Sequence, residues 1–465
     1  MMSLSGLLVL MPAFAEEYKP WAERTILEHL RFEDFAGKTA ERQDALIDRG
    51  QALFVAKFTD LDGAGRPMAT QAILATKRRR PAPQDFQRLS GPDANSCASC
   101  HNDPAVGGAG HFTANVFVSE GFESADFDTS DPQFSNERGT NALHGAGLVE
   151  LLAREMTADL HSQRKAALAD ARRSETPVEK ELVSKDVRFG SIIANPDGTL
   201  DVSKIEGVDT DLTLRPFGQK GVFASLRQFT VNAMNHHHGM QAEERFGTQW
   251  TGSADFDEDR VESELSRGDI SALVAWQATL KPPGRNGDIP SEWQQASERG
   301  EVVFAQAGCA ECHRPTLPLK SLSFTDPGPY EVAGTLRPEE TSTGIVHNLA
   351  LEEWSKSLER DEYGNWLVPL FGDLKRHRIS GKRQNAFGNE LLGQRFVDRD
   401  VFLTTELWGV DTTGPYGHRG DITTLDQAIL SHGGEALNSR DAYAALPDKD
   451  RDSLIAFLRT LIIEP

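Results

Sequence analysis

Apolar positions recur along this chain mostly at helical rather than alternating spacing. Near the C-terminus, Leu454, Ile455, Phe457, Leu458, Leu461 and Ile462 fall on one face of a helix, with Asp448 or Asp450 placed to cap it. Just before it, Thr424 to Ser431 predicts a short helix stopped by Gly433-Gly434. Two more helices share a local pattern, Arg49-Gly50-Gln51-Ala52-Leu53-Phe54 and Arg299-Gly300-Glu301-Val302-Val303-Phe304, each with its apolar side at the last two residues. Long loops join these elements, since the chain holds 40 Gly and 23 Pro. The breaker-rich stretch from Pro282-Pro283-Gly284 to Pro290 marks a boundary, giving expected units at 16–284 and 285–465.

One apolar run has a different character. Leu4 to Met11 is continuous, and Ala13-Phe14-Ala15 after it has the small-x-small form that a signal peptidase reads. Residues 1–15 are therefore expected to be a signal peptide, with a mature chain from about Glu16; a short core segment is the plain alternative. No Lys or Arg precedes the run, which argues against a complete leader, and the expectation is that the true start lies upstream. The run is too short to span a bilayer, and no membrane insertion is expected. With 70 acidic against 49 basic side chains the net charge is −21, which excludes nucleic acid and anionic membranes as partners and suits a basic redox protein.

All four cysteines fall in two copies of one motif, Cys97-Ala98-Ser99-Cys100-His101 and Cys309-Ala310-Glu311-Cys312-His313. Two thiols one helical turn apart can bond to one porphyrin edge as thioethers, and the adjoining histidine can then reach the iron. At this composition chance would supply one such motif in roughly a thousand chains. A four-thiolate zinc site, redox dithiols or disulfides are the competing readings, but none needs a histidine after each pair. Two covalently bound haem c groups and a periplasmic location are the expectation. Lys77-Arg78-Arg79-Arg80 reads as a solvated loop or as a partner for haem propionates.

Over most of residues 45–465 the chain resembles the di-haem cytochrome c peroxidase superfamily, and within it the di-haem thiol oxidoreductase/peroxidase branch. The resemblance rests on Ser96 to Gly108, on Glu406-Leu407-Trp408-Gly409-Val410, on Thr413-Gly414-Pro415-Tyr416-Gly417-His418-Arg419-Gly420, and on Ser431-His432-Gly433-Gly434-Glu435. It implies a mainly α fold with two cytochrome c-like haem domains, one haem storing an electron and the other meeting peroxide. It also implies that His432 stands where the peroxidases have a distal Met for the C-terminal haem. His418 matches a loop histidine near the haem and a calcium site. Thr413 and Pro415 match carbonyl ligands of that calcium, but Arg138-Gly139-Thr140-Asn141 lacks the matching Asn.

For the N-terminal haem the family's distal His has no counterpart at its usual distance; His111 lies closer and His144 later. Gln228 matches the family's Gln. Ten residues on, where the family keeps an acid–base Glu, this chain has His238 within His236-His237-His238. The family's relay Trp is absent from Phe217-Gly218-Gln219-Lys220, leaving Trp276, Trp293 or Trp408 as substitutes. Apart from the resemblance, Asp255, Asp257 and Asp259 have calcium-loop spacing, although Arg260 replaces the expected Gly and Ser266 the closing Glu.

These residues support a peroxidase-like oxidoreductase supplied by a small redox protein. A pure electron-transfer cytochrome and a protein-modifying oxidase are the alternatives. The expected site is Cys97, Cys100, His101, Cys309, Cys312 and His313 for attachment, with His432, His238 and His418 near the irons and His238 and Gln228 in catalysis.

Overall fold

The protein is described from a computed structural model covering residues 21–37, 43–71, 75–116, 131, 134–331, 336–380, 386–390 and 393–464. The leader-like residues 1–15 lie outside this set. The described helices are α1 (Asp44–Val55), α2 (Cys97–Cys100), α3 (Ala146–Ser174), α4 (Leu226–Ala233), α5 (Glu243–Phe246), α6 (Thr248–Thr251), α7 (Arg267–Thr279), α8 (Ser291–Gln306), α9 (Leu425–Leu430), α10 (Leu437–Ala444) and α11 (Asp448–Leu458). Strands are short and pair in small antiparallel sheets, the largest formed by Val178–Ser184, Val187–Ala194 and Leu200–Asp201. Helix outweighs strand, and no described helix is long and apolar enough to cross a membrane.

The two sequence-related helices are used in the same way. α1 packs on α7 and α8 packs on α11. At each crossing stands the glycine of the shared pattern. A Cβ on Gly50 would lie 1.9 Å from the Ala272 carbonyl oxygen, and one on Gly300 would lie 1.9 Å from that of Ser453. No other residue permits so close an approach of two backbones. Four residues on, Phe54 packs against Trp276 with ring centroids 4.3 Å apart, and Phe304 against Phe457 at 5.5 Å. Each Phe also faces its motif histidine, Phe54 to His101 at 6.0 Å and Phe304 to His313 at 6.5 Å.

Three expectations need correction. The C-terminal helix ends at Leu458: the Thr460 hydroxyl donates to the Phe457 carbonyl, and Leu461–Ile462 pair with Gly284–Arg285 as a strand. Leu461 and Ile463 are buried while Ile462 is half-buried, so the tail follows the two-residue period of a strand. Asp448 lies in the helix's first turn rather than at its cap, which is Pro447. Finally, Thr76–Arg79 is a strand paired with Met68–Gln71, with Lys77 on Glu258 and Arg80 buried.

The core forms two main clusters. The larger joins α1, α3 and α7 to Leu317, Phe324, Ile345, Val368 and Leu374; the smaller gathers Phe304, Tyr443, Leu454, Phe457 and Leu461. Residues from beyond Pro290 thus pack into the larger cluster.

Candidate haem site

Both motifs are set by short helical turns. Ser96 caps α2, its hydroxyl accepting the Ser99 N–H at 3.1 Å, and the His101 N–H returns to the Cys97 carbonyl at 3.0 Å. Around the second motif, Gly308 takes a positive φ of 82° into the turn Cys309–Glu311, and the His313 N–H returns to the Cys309 carbonyl at 2.9 Å. None of the four cysteines is joined in a disulfide. Burial pushes the Cys97 thiol up to about 12 and the Cys309 thiol to about 11, as befits sulfurs in an apolar wall rather than a thiolate cluster.

One cavity runs between the motifs and is lined by Cys97, Cys100, His101, Cys309, Cys312 and His313. Five histidines around it share a geometry: His144, whose Nδ1 donates to the Lys281 carbonyl, and four more. Nδ1–H donates to a backbone carbonyl in His101 (Gly108, 3.3 Å), His238 (Ala94, 2.9 Å), His313 (Phe371, 3.2 Å) and His432 (Ala428, 2.9 Å). A carbonyl can only accept, so each bond fixes the proton on Nδ1 and leaves Nε2 as the lone-pair nitrogen, the usual arrangement of a metal-binding imidazole. Burial lowers His101, His238 and His313 to about 4 and lowers His432 as well, so all four are neutral at pH 7, as iron ligation requires. The ring centroids of His313 and His432 stand 6.4 Å apart. With the rings at 76° to one another, that separation leaves room for one metal ion between them. Thiols, imidazoles and apolar walls together fit a haem c.

The three consecutive histidines follow α4 in a π-turn, Met234–His238. The wider turn sends them different ways. His237 and His238 line the cavity. His236 is buried beside Arg66 and Arg245, whose charges add to burial in lowering its basicity. His238 Nε2 lies 3.5 Å from Cys97 Sγ. His237 is tied to Ser90: the Ser90 hydroxyl donates to the Asn115 carbonyl at 2.8 Å, so it must accept from His237 Nδ1–H. His237 therefore also offers a bare Nε2, and burial lowers it to about 3. Gly239, with φ of 72°, ends the turn where a Cβ would meet the Gln87 carbonyl at 2.7 Å.

Gln228 does not join this group. The cavity takes Leu226, Phe229, Thr230, Ala233 and Met234 from one side of α4, and Gln228 lies off that side. Its amide oxygen accepts the Ala224 N–H at 2.9 Å, which anchors the start of the helix. The amide in the cavity beside Thr230 is Gln277, whose Nε2 donates to the Thr230 hydroxyl at 3.0 Å.

His418 lines the cavity, stacked on Phe402 at 4.7 Å, with both ring nitrogens buried and unbonded. Burial, then the charges of Arg138 and Lys220, lower it to about 3. Its carbonyl accepts the Gly139 N–H at 3.0 Å, so the loop bearing Thr413 and Pro415 packs on the 137–140 strand. Asn141 accepts from Gln219 at 3.2 Å. His144 lines the cavity, its Nδ1 donating to the Lys281 carbonyl at 2.9 Å. The side chain of His111 lies outside the described set. Of the tryptophans, Trp408 lines the cavity, Trp276 packs on Phe54, and Trp293 donates to the Ala456 carbonyl between α8 and α11.

Sequence reasoning missed His377. It lines the cavity beside Cys312, with Nε2 on Asp373 at 2.9 Å and Nδ1 on Glu435 at 2.8 Å. Burial opposes its charge, but hydrogen bonds to Asp373 and Cys312 raise it to about 11. A thioether at Cys312 would remove that sulfur's share and leave the two carboxylates. The Asp373–His377 spacing of four was the available signal.

The C-terminal segment, residues 392–461, matches the family model described as "Di-haem oxidoreductase, putative peroxidase". Among curated proteins, the cytochrome-c peroxidase IdrP2 of Denitromonas iodatirespirans is 24% identical over 390 residues, covering 81% of this chain and 79% of that protein. The cytochrome c551 peroxidase of Nitrosomonas europaea is 25% identical over 201 residues, covering 41% of this chain and 43% of that one. Among solved structures, hydrazine synthase of Kuenenia stuttgartiensis aligns over 99% of both chains at 14% identity with a TM-score of 0.37. A MauG-like protein associated with microbial copper homeostasis aligns over 68% of this chain and 88% of that one, at 13% identity and a TM-score of 0.29. Neither structural likeness is close enough to carry an argument. Over its C-terminal segment and most of its length, the chain is thus similar to di-haem cytochrome c peroxidases. Both curated relatives are named as cytochrome c peroxidases.

Proposed function

We propose that the protein carries two haems c, one on Cys97/Cys100 with His101 and one on Cys309/Cys312 with His313, and that they divide the work. The C-terminal haem, closed by His432, stores an electron. The N-terminal haem meets a small oxidant such as hydrogen peroxide, with His238 in its distal pocket. The observation that carries this reading is the shared geometry of His101, His238, His313 and His432 around one cavity, each with Nδ1 tied to a carbonyl so that Nε2 carries the lone pair.

When bound, haem supplies reversible iron redox chemistry and a coordination position for the oxidant. The chain's own residues do the rest. His432 occupies space that an oxidant would need at the second motif. His237 Nε2 is a neutral proton acceptor, and the Ser90–Asn115 chain holds its ring in place. Such a group can take a proton from peroxide and return it to the departing oxygen. Apolar Val116, Phe229 and Met234 line the same cavity and limit water. Trp408, also on the cavity wall, is the tryptophan placed to assist electron passage.

Each unit keeps its own helix crossing, with the division near Gly284, although residues 317–374 pack with the first unit's core. A small, basic redox protein as electron donor suits the net charge of −21. Covalent haem attachment and the leader-like start support a periplasmic location. With Asn141 engaged by Gln219, calcium at Thr413 and Pro415 is not part of this reading.

A pyridine haemochrome assay should find two haems per chain, and one in Cys309→Ala/Cys312→Ala. The reduced full chain should consume hydrogen peroxide in the presence of reduced small cytochrome. One haem per wild-type chain, or two haems that are both inert to peroxide, would refute the reading and leave an electron carrier.

A further inference from the structure

The loop Asp255–Ser266 plays no part in the haem cavity, yet it holds an unusual group of carboxylates. Asp255, Asp257 and Asp259 bring one oxygen each to within 4.8 Å of one another. Asp257 is 0% exposed, and neither of its carboxylate oxygens has a hydrogen-bond partner. One oxygen of Asp259 is likewise buried without a partner. A buried carboxylate left unpaired is among the costliest arrangements a fold can keep, unless a cation completes it.

The remaining oxygens shape the loop. Asp255 Oδ1 accepts the Asp259 N–H at 3.2 Å and Oδ2 the Arg260 N–H at 3.1 Å; Asp259 Oδ1 accepts the Val261 N–H at 2.7 Å. Both oxygens of Asp255 and one of Asp259 thus accept from the backbone, while both oxygens of Asp257 and the second of Asp259 have no hydrogen-bond partner. Glu264 stands close enough to be felt by Asp257 and Asp259, with Oε2 accepting the Gln241 N–H at 2.7 Å. The nearby positive charge, Arg66, donates to Asn235 instead, and its Nε and Nη2 touch no acceptor. Burial, then the Asp259 charge, pushes Asp257 up to about 8 without a cation.

We propose that Asp255, Asp257 and Asp259 bind a hard divalent cation, calcium by preference, with Glu264 at the edge of the site. An all-oxygen, carboxylate-rich set selects hard cations over soft ones, and an irregular loop suits calcium's loose geometry better than magnesium's octahedron. Water completes the coordination. The site braces the wall behind the π-turn. The Asp257 carbonyl accepts the Met68 N–H at 3.0 Å, Glu264 holds Gln241, and the Gly65 N–H donates to the carbonyl of Gly239, the residue after His238, at 3.2 Å. The binding site itself does not depend on what His237 and His238 do.

The test is calcium titration of the full-length holoprotein after chelator treatment, by calorimetry, in wild type, Asp257→Asn and Asp259→Asn. Wild type should take up one calcium equivalent more than Asp257→Asn, and Asp259→Asn should bind it at least tenfold more weakly. Calcium chloride should raise the wild-type unfolding temperature relative to EGTA and leave Asp257→Asn unmoved. If Asp257→Asn fails to fold, Asp259→Asn and the wild-type calcium/EGTA pair decide. Equal calcium uptake in wild type and variants, or a wild-type unfolding temperature indifferent to calcium, would overturn the proposal; the carboxylates would then share protons instead.

Discussion

Around Cys97 and around Cys309 the chain uses the same parts. A helix carries a glycine at its crossing, a phenylalanine four residues later faces the motif histidine, and that histidine donates Nδ1–H to a carbonyl. The two differ in the further imidazoles that line the cavity near each motif. At the second motif a single imidazole, His432 from the end of α9, faces His313 at 6.4 Å. At the first, two adjoining imidazoles come from a π-turn, one tied to Ala94 and one to Ser90. The spacing explains part of this. Phe304 stands five residues before Cys309, whereas Phe54 stands 43 residues before Cys97. That insertion supplies Ser90 and Ala94, the two residues that hold His237 and His238. On the proposed reading, the same local scaffold would serve storage where one imidazole closes it and proton handling where a longer wall holds two.

The largest effect should come from breaking the difference at its chemical end. His237→Ala should lower the rate of reaction with peroxide by about 10²- to 10⁴-fold while leaving two haems per chain, the range expected for a lost acid–base group. Stopped-flow mixing with peroxide measures it. An unchanged rate would move the proton-handling role elsewhere. Ser90→Ala should give a smaller loss, since the ring keeps its place in the wall but loses its hydrogen-bonded partner.

The next test addresses what the two regions share. Gly50→Ala and Gly300→Ala should each destabilise the fold by about 3 kcal/mol, since a methyl group would meet a carbonyl oxygen on the facing helix. Denaturant midpoints of the holoprotein check this. Tolerance at one crossing and not at the other would mean that the crossings are not equivalent.

How much of this could be seen in the chain alone differs between the regions. The two repeated motifs and the paired helices could be read because their residues are adjacent in sequence, whereas His432 was singled out only by the resemblance. The π-turn was not, because three consecutive histidines look alike until the turn sends His236 toward Arg66 and His237 toward Ser90. Gln228 misled because its spacing matched the family while its side of α4 does not face the cavity. His377 went unread because its partner Glu435 lies 58 residues away. Leu461 and Ile462 continued the helical period by chance, and only the strand at Gly284–Arg285 shows what they pair with.

A smaller effect concerns the ground under the π-turn. Glu331 is buried beside Glu150, which holds the start of α4 through the Leu226 N–H at 2.7 Å. Burial first, then the Glu150 charge, raises Glu331 to about 8. The folded state thus keeps a proton that the unfolded chain releases near 4.5, so stability falls as pH rises from about 4.5 to 8. Glu331→Gln should remove part of that slope and gain on the order of 1–2 kcal/mol at pH 8 relative to pH 5. Urea midpoints at the two pH values measure it, and parallel curves for variant and wild type would contradict it.

The central claim is that His432 closes the C-terminal haem while the N-terminal haem stays open to an oxidant. Electron paramagnetic resonance of the ferric full chain, with and without cyanide, tests it most directly in wild type and His432→Ala. The account predicts a low-spin signal in wild type that persists when cyanide has converted the other haem, and its loss in His432→Ala. Spectra of His432→Ala identical to wild type, with and without cyanide, would contradict it.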